Sequence, residues 1–164
     1  VGGMAAGVIS GIAKYFKRIP KIIVIEPEHA NCVMQSIKYG SLKKVNIKKQ
    51  SIMGGMSCAE VSLVPWRILK NAVNNCVSVS DKYVPQTLTM LAKRRFSDRS
   101  IIAGECSTPG VISIISCCND PLVKKKLEIN EKSNILIIGC EGDTDKNLYN
   151  KLYKIGNQKL KNYD

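Results

Sequence analysis

Short apolar runs alternate with segments of helical periodicity along the chain of 164 residues. A glycine-rich turn at 1–7 leads into a helical pattern over about 4–18. The run at 21–26 is rich in β-branched residues, which is typical of a buried strand. A second helical pattern covers 30–39 and stops at Gly40, as a left-handed helix cap would require. This alternation predicts an α/β fold in which helices connect the strands of a mostly parallel sheet.

The rest of the chain continues the alternation after an irregular segment at 41–62, which contains a glycine pair. The pattern predicts helices at 65–74, 81–94, 109–117, 121–127 and 143–156, and strands at 76–80, 101–106 and 134–142. Asp81 is expected to cap its helix, and the last strand is expected to be buried and to run into a glycine turn. Because no repeat or linker interrupts the pattern, residues 1–164 are assigned to one domain.

The glycine turns are the first candidates for a ligand site. In open α/β sheets, ligands collect at the carboxyl ends of the strands, where helix amino termini offer unpaired N–H groups to anions. Gly2 and Gly3 have no side chain that would collide with a phosphate. Such a turn is equally compatible with simple helix packing, so the residues alone leave a phosphate site and a packing turn as alternatives.

Charge and hydropathy exclude two classes of partner. The formal net charge is +12, but the lysines are dispersed and no aromatic side chains lie among them as a base-stacking surface requires. No apolar run approaches the roughly 18 residues of a membrane helix. The first residues also lack the basic segment of a signal peptide. We therefore expect a cytoplasmic protein with neither a nucleic acid nor a membrane as partner.

The seven cysteines show no CxxC spacing, and the sequence has one histidine, His29. A structural zinc site needs four Cys or His ligands, usually in spaced pairs, so no metal site is expected. Free thiols in a reducing compartment fit this pattern better than a disulfide framework. A pairing of Cys32 with Cys58, both expected near the ligand-binding face, is left open.

Five stretches resemble, in the same order, the carboxyl-terminal half of the diaminopropionate ammonia-lyases. They are VGGMAAGV, PKIIVIEPEHANC, SIMGGMSCAEVS, GECSTPG and ILIIGCEGDTD. These lyases are tryptophan-synthase-like, fold type II enzymes that use pyridoxal phosphate. The resemblance extends to about Lys154, and EGDTD is its most specific motif. It implies a three-layer α/β fold with a mostly parallel sheet, here an incomplete copy of the large domain of that enzyme class.

Pyridoxal 5′-phosphate is the cofactor that the resemblance implies. The resemblance places four residues in the loop that holds the cofactor phosphate: Gly2, Gly3, Met4 and Ala5. It places three near the pyridine ring: Glu105, Gly139 and Cys140. At Gly139 and Cys140 it implies Ser and Thr instead, and a thiol is a weaker hydrogen-bond partner than a hydroxyl. The stretch CSTPG at 106–110 is a second departure, because the family favours Ser, Gly and Ala there and Pro109 changes the backbone freedom.

No catalytic residue is assigned within the chain. The resemblance implies that the Schiff-base lysine and the acid–base groups lie upstream of Val1, since none of the lysines present has a matching context. Residues 1–164 are therefore expected to be the carboxyl-terminal part of a domain that binds pyridoxal phosphate, a fragment that is inactive by itself.

The resemblance implies an enzyme that degrades 2,3-diaminopropionate, a small amino acid, to pyruvate and ammonia by α,β-elimination, and that forms a homodimer when complete. Two alternatives stay open: a related serine or threonine dehydratase, and a non-catalytic remnant without the lysine. Three acidic residues also have simpler interpretations. Asp143 and Asp145 are equally compatible with capping the last helix, and Glu141 with a surface ion pair.

Overall fold

The computed structural model describes residues 1–161 and shows an α/β arrangement with a parallel sheet. The helices are α1 Gly3–Tyr15, α2 Cys32–Tyr39, α3 Leu63–Ala72, α4 Val84–Ala92, α5 Pro109–Cys118, α6 Pro121–Lys126 and α7 Lys146–Leu160. Strands β1 (Ile22–Pro27) and β2 (Val73–Val79) pair in the sheet. None of the helices described in residues 1–161 is both long and apolar enough to cross a lipid bilayer.

The chain divides into two compact units. The first unit comprises Val1–Ser51 and Gly55–Ser78, and the second comprises Ile52–Gly54 and the residues from Val79 onward. In the first unit α1 packs against α3, and α2 packs against β1. Its core contains apolar side chains spaced three apart on α1, and others from α2, α3 and the loop before α3: Ala6, Ile9, Cys32, Val33, Val61 and Leu69.

A buried carboxylate connects β1 to α2 in the first unit. Glu26 is 6% exposed and accepts hydrogen bonds from the N–H groups of Val33 (2.9 Å) and Met34 (2.8 Å). These N–H groups belong to the first turn of α2, where no intrahelical acceptor is available. The side chain of one element therefore caps the next, and the negative charge lies at the positive end of the helix.

In the second unit, α4 and α7 make the most extensive contact between helices. Gly156 of α7 lies directly against the backbone of Pro85, so that a Cβ atom at this position would overlap the Pro85 carbonyl oxygen. The Thr89 hydroxyl lies 2.9 Å from the Pro85 carbonyl oxygen and 3.2 Å from that of Tyr153. A small residue on α7 thus lets the two backbones approach closely.

The sheet is smaller than the apolar pattern predicts. The expected strands at 101–106 and 134–142 are wrong, since neither segment pairs with a strand in the described part of the chain. Ile135, Leu136, Ile137 and Ile138 are 39–71% exposed. Apolar β-branched composition favours a strand only where a neighbouring strand pairs with it and other elements cover it, and residues 1–161 supply no such neighbour here.

The helix ends agree with the local signals in two of three cases. Gly40 ends α2 with φ 64°, and the Asp145 carboxylate caps α7 by accepting the N–H of Leu148 at 2.9 Å. The expected cap at Asp81 is wrong: a 3₁₀ turn, Asp81–Tyr83, precedes α4, and the Asp81 carboxylate accepts the N–H of Ile52 at 2.9 Å. The Asp81 side chain, which local spacing assigns to a helix cap, instead makes a contact that is distant in sequence.

Candidate cofactor site

The turn into α1 has a backbone that only glycine adopts readily. Gly2 has φ 101°, and a Cβ atom there would lie 2.9 Å from Leu69 Cδ1 and 3.2 Å from Pro65 Cβ. The Ser62 N–H donates to the Val1 carbonyl oxygen at 3.0 Å, which fastens the turn to the segment before α3. The position of the α1 amino terminus is therefore fixed by contacts on two sides.

Three backbone donors lie at this helix end. The first intrahelical bond of α1 runs from the Ala6 N–H to the Gly2 carbonyl oxygen (2.9 Å), so Gly3, Met4 and Ala5 have N–H groups that the helix does not use. The N-cap residue of α1 is Gly2, which has no side chain to cap the helix, and a Cβ atom at Gly3 would meet open space. Unpaired N–H groups and the helix dipole both favour an anion, so the residues present fit a phosphate group.

We expect Gly2→Ala to lower the free energy of unfolding by about 2 kcal/mol, because it forces a side chain into a left-handed backbone and against Leu69. Urea denaturation followed by the fluorescence of Trp66 measures this change. Gly3→Ala is the matched control, since its Cβ atom has space. Equal free energies of unfolding for the two variants would show that Gly2 does not need its left-handed conformation.

The ring-side candidates Glu105, Gly139 and Cys140 lie in the second unit, where two segments distant in sequence meet. At this meeting point the side-chain oxygen and sulfur atoms of Glu105, Cys106 and Glu141 lie within 4.8 Å of one another. Glu141 Oε2 accepts the Cys106 N–H at 2.7 Å, and the Glu141 carbonyl oxygen accepts the Gly104 N–H at 2.9 Å. The Glu141 carboxylate thus binds backbone, and no ion pair of Glu141 is found among residues 1–161.

The electrostatics of this cluster favour the protonated form of one carboxyl group. Burial raises the pKa of Glu105 above its ordinary value, and the negative charges of Glu141 and Asp145 raise it further. Asp143 is half-buried, and its charge adds to the effect of burial in raising the pKa of Tyr149 on α7. The cluster thus concentrates negative charge around Glu105, and the protonated form of Glu105 is stabilised.

A hydroxyl group is present beside the ring-side turn, although sequence reasoning did not assign one. The Ser107 hydroxyl donates to the Glu141 carbonyl oxygen at 2.8 Å and accepts the Glu141 N–H at 2.8 Å. A Cβ atom on Gly139 would lie 2.9 Å from Ser107 Cβ and 3.0 Å from its Oγ. Cys140 is exposed. Sequence reasoning singled out the stretch CSTPG, which contains this serine, but for its departure at Pro109 and not for the hydroxyl of Ser107.

We expect Gly139→Ala to lower the free energy of unfolding by about 1 to 2 kcal/mol, since the new methyl group collides with a serine that two hydrogen bonds hold in place. In a Ser107→Gly background the same change meets neither Cβ nor Oγ and is expected to cost less. A double-mutant cycle measured by urea denaturation gives the coupling. Additive effects of the two substitutions would contradict the contact.

The cysteines are free thiols throughout the described chain, Cys32 and Cys58 included. Burial raises the pKa of Cys32 to about 12, and the charge of Glu26 adds to this effect. A neutral, buried thiol is a poor nucleophile and a poor metal ligand. Cys32 therefore serves the core of the first unit.

The predicted site residues thus form two groups. Gly2, Gly3, Met4 and Ala5 lie together at the amino terminus of α1, in the first unit. Glu105, Gly139 and Cys140 lie in the second unit, where the segments at 104–107 and 139–141 are hydrogen-bonded to each other. The contact between these two segments could not be foreseen from spacing along the chain.

Known proteins resemble this chain, some along nearly its whole length and one along about half of it. Diaminopropionate ammonia-lyase of Escherichia coli (strain K12) is 29% identical over 156 residues, which are 93% of this chain and 39% of that enzyme. The crystal structure of the selenomethionine-substituted holo form of the Escherichia coli enzyme has a TM-score of 0.81 at 28% identity, covering 94% of this chain and 39% of that one. Threonine dehydratase of Nicotiana attenuata is 34% identical over 84 residues, 49% of this chain and 14% of that protein.

These matches confirm the resemblance read from the motifs and the expected fold. The chain spans about two fifths of the length of the diaminopropionate ammonia-lyases it matches. The model of the family described as "Pyridoxal-phosphate dependent enzyme" matches residues 1–141. With the phosphate-compatible turn at α1, this match supports pyridoxal phosphate as the cofactor, and the chain belongs to the pyridoxal-phosphate dependent enzymes.

Proposed function

We propose that the chain is the carboxyl-terminal part of a lyase that degrades 2,3-diaminopropionate to pyruvate and ammonia by α,β-elimination. The observation that carries the cofactor part of this proposal is the uncapped amino terminus of α1 behind the left-handed Gly2. The substrate part is supported by the similarity to the Escherichia coli enzyme over 93% of this chain. The complete protein is proposed to act as a homodimer in the cytoplasm.

The proposed role of the turn is to bind the cofactor phosphate. The N–H groups of Gly3, Met4 and Ala5 would donate to the phosphate oxygens, and the α1 dipole would add partial positive charge there. Gly2 sets the direction in which these donors point, because its backbone enters the helix from a left-handed conformation. When bound, pyridoxal phosphate supplies a conjugated ring that takes up electrons from the substrate carbon.

Glu105, Gly139 and Cys140 are proposed to lie beside the cofactor ring. Glu105 can hold a proton at its carboxyl group, because burial and the neighbouring carboxylates raise its pKa. Gly139 leaves no side chain of its own at the turn, and Cys140 offers a thiol. These groups orient a ring, while proton removal from the substrate requires other residues.

The lysine that bonds the cofactor aldehyde and the groups that move the substrate protons are proposed to lie outside residues 1–164. We therefore expect the chain by itself to have no lyase activity. A direct experiment can test for this lysine. Reversibly bound pyridoxal phosphate is released after reduction, whereas pyridoxal phosphate bonded to a lysine becomes permanently attached to the chain.

The experiment is a titration of the purified chain with pyridoxal phosphate, recording the visible absorption before and after borohydride. We expect reversible binding that inorganic phosphate competes away, with no single lysine modified by the reduction. Pyridoxal without its phosphate is the matched control and should bind more weakly. Binding that ignores phosphate would overturn the phosphate turn, and a single reduced lysine would show that the chain contains the bonding residue.

A second candidate function is a threonine dehydratase, favoured by the similarity of about half of this chain to the enzyme of Nicotiana attenuata. The two candidates differ in the group that leaves the β-carbon of the substrate, an amino group in one and a hydroxyl group in the other. Comparing kcat/KM for 2,3-diaminopropionate, serine and threonine with the complete protein separates them. Preference for threonine would overturn the diaminopropionate proposal and leave the cofactor proposal intact.

A further inference from the structure

Glu141 uses every polar group it has to connect two segments of the second unit. Its N–H donates to Ser107 Oγ at 2.8 Å, and its carbonyl oxygen accepts from Ser107 Oγ at 2.8 Å and from the Gly104 N–H at 2.9 Å. Its carboxylate accepts the Cys106 N–H at 2.7 Å. A single residue is thus bonded to three of the four positions in 104–107.

Glu105, which is proposed to lie beside the cofactor ring, stands between two residues that are hydrogen-bonded to Glu141. Glu105 makes none of these four bonds, but its neighbours Gly104 and Cys106 are both fixed to Glu141. On the other segment, Gly139 lies against Ser107. The direction of the Glu105 side chain and the course of the turn at 139–141 therefore depend on the same set of hydrogen bonds.

We propose that Ser107 and Glu141 are positioning residues, whose paired hydrogen bonds hold Glu105 and the turn at 139–141 in the arrangement that receives the cofactor ring. We call this pair the Ser107–Glu141 clamp. The proposal rests on the proposed function of the chain. Neither residue is proposed to contact the cofactor, and both act through Glu105 and the turn.

The chemistry of the clamp explains why these two residue types are required. A serine hydroxyl donates one hydrogen bond and accepts others, so it can bond the N–H and the carbonyl oxygen of one residue at the same time. A carboxylate at 2.7 Å from an N–H makes a charge-assisted bond, which is stronger than a neutral one. Alanine at 107 removes both hydroxyl bonds, whereas glutamine at 141 keeps an oxygen for the Cys106 N–H.

The test compares Ser107→Ala with Ser113→Ala. The Ser113 hydroxyl donates to the Gly110 carbonyl oxygen at 2.9 Å within α5, so its loss removes a half-buried hydroxyl bond, like those of Ser107, without touching the clamp. The probe is pyridoxine 5′-phosphate, which has no aldehyde and cannot bond to surface lysines. Two readouts are used: the ring fluorescence of the probe during titration, and the hydrogen exchange of the Cys106 and Glu141 amides without probe.

We expect Ser107→Ala to weaken binding of the probe about tenfold and to change its ring fluorescence in the complex, while Ser113→Ala stays within twofold of the unsubstituted chain. Amide exchange at Cys106 and Glu141 should quicken at least tenfold in Ser107→Ala and stay unchanged in Ser113→Ala. Glu141→Ala should repeat the loss of binding, and Glu141→Gln should restore most of it because an acceptor oxygen remains.

Two failures are distinguishable. If the unsubstituted chain does not bind the probe, the proposed function fails, and unchanged amide exchange in Ser107→Ala would overturn the clamp independently. If the unsubstituted chain binds and Ser107→Ala binds equally well, the clamp is not a positioning device although the cofactor proposal survives. Equal losses in Ser107→Ala and Ser113→Ala would also overturn it, because a general loss of stability would then explain both.

Discussion

Replacing Gly156 by alanine is expected to lower the free energy of unfolding by about 3 kcal/mol, at the upper end of the cost of overpacking a core. The added Cβ atom would overlap the Pro85 carbonyl oxygen and the Thr89 hydroxyl, and it would lie 2.6 Å from the Pro85 carbonyl carbon. Two of these atoms are backbone, and proline cannot rotate about φ to withdraw them. Helices α4 and α7 must therefore separate along their contact.

The measurement is urea denaturation followed by the circular dichroism of the helices, with Gly7→Ala as the matched control. Gly7 is also inside a helix, but a Cβ atom there has no neighbour within 4 Å. Alanine at this position should stabilise the chain by about 0.5 to 1 kcal/mol, because it favours the helix without a collision. Similar stabilisation by Gly156→Ala would contradict the close approach of α4 and α7.

Helices whose signals are local could be predicted from the sequence. The helix at 109–117 begins at a proline in the first turn, and the observed helix is Pro109–Cys118. The end of α2 at Gly40 and the cap at Asp145 depend on residues within three positions of the helix end. Each of these signals acts through backbone geometry or a single hydrogen bond, so no distant contact is needed to realise it.

The contacts of the ring-side cluster could not be predicted, because they join positions far apart in the chain. The sequence pattern contains nothing that connects Ser107 with Glu141. It also predicted a buried strand for the apolar run at 135–138, which is exposed in the structure. The family resemblance supplied Glu105, Gly139 and Cys140 as members of one site. It did not supply Ser107, because the departure it marks in that stretch is Pro109, and serine is a residue that the family favours there.

Replacing Glu26 by alanine is expected to lower the free energy of unfolding by about 3 kcal/mol, because it leaves the buried N–H of Val33 and the half-buried N–H of Met34 without an acceptor. The matched control is Asp120→Ala. Asp120 also accepts two N–H groups at a helix start, those of Leu122 (2.9 Å) and Val123 (3.1 Å), but these bonds are exposed. Water can replace the lost acceptor there, so about 1 kcal/mol is expected. Equal losses in urea denaturation would show that burial of Glu26 adds nothing.

The pH dependence of stability tests the charge of the same group. Burial raises the pKa of Glu26 above 4.5, and the N–H bonds from Met34 and Val33 offset this only in part. A carboxyl group whose pKa is higher in the folded state stabilises the fold fully below its unfolded pKa, and this contribution is lost as the pH rises through the folded pKa.

The Glu26→Gln side chain cannot titrate. As the pH is lowered from about 8 to about 4, the chain with Glu26 should therefore gain stability relative to this variant. The nearby thiols do not obscure the comparison. Burial, with the charge of Glu26 as a further cause, raises the pKa of Cys32 to about 12 and that of Cys76 to about 11, so both thiols stay neutral throughout. A stability difference that does not change over this pH range would mean that the N–H bonds of α2 fully compensate the burial of the carboxylate. In that case Glu26 would be an ordinary helix cap that happens to come from a strand.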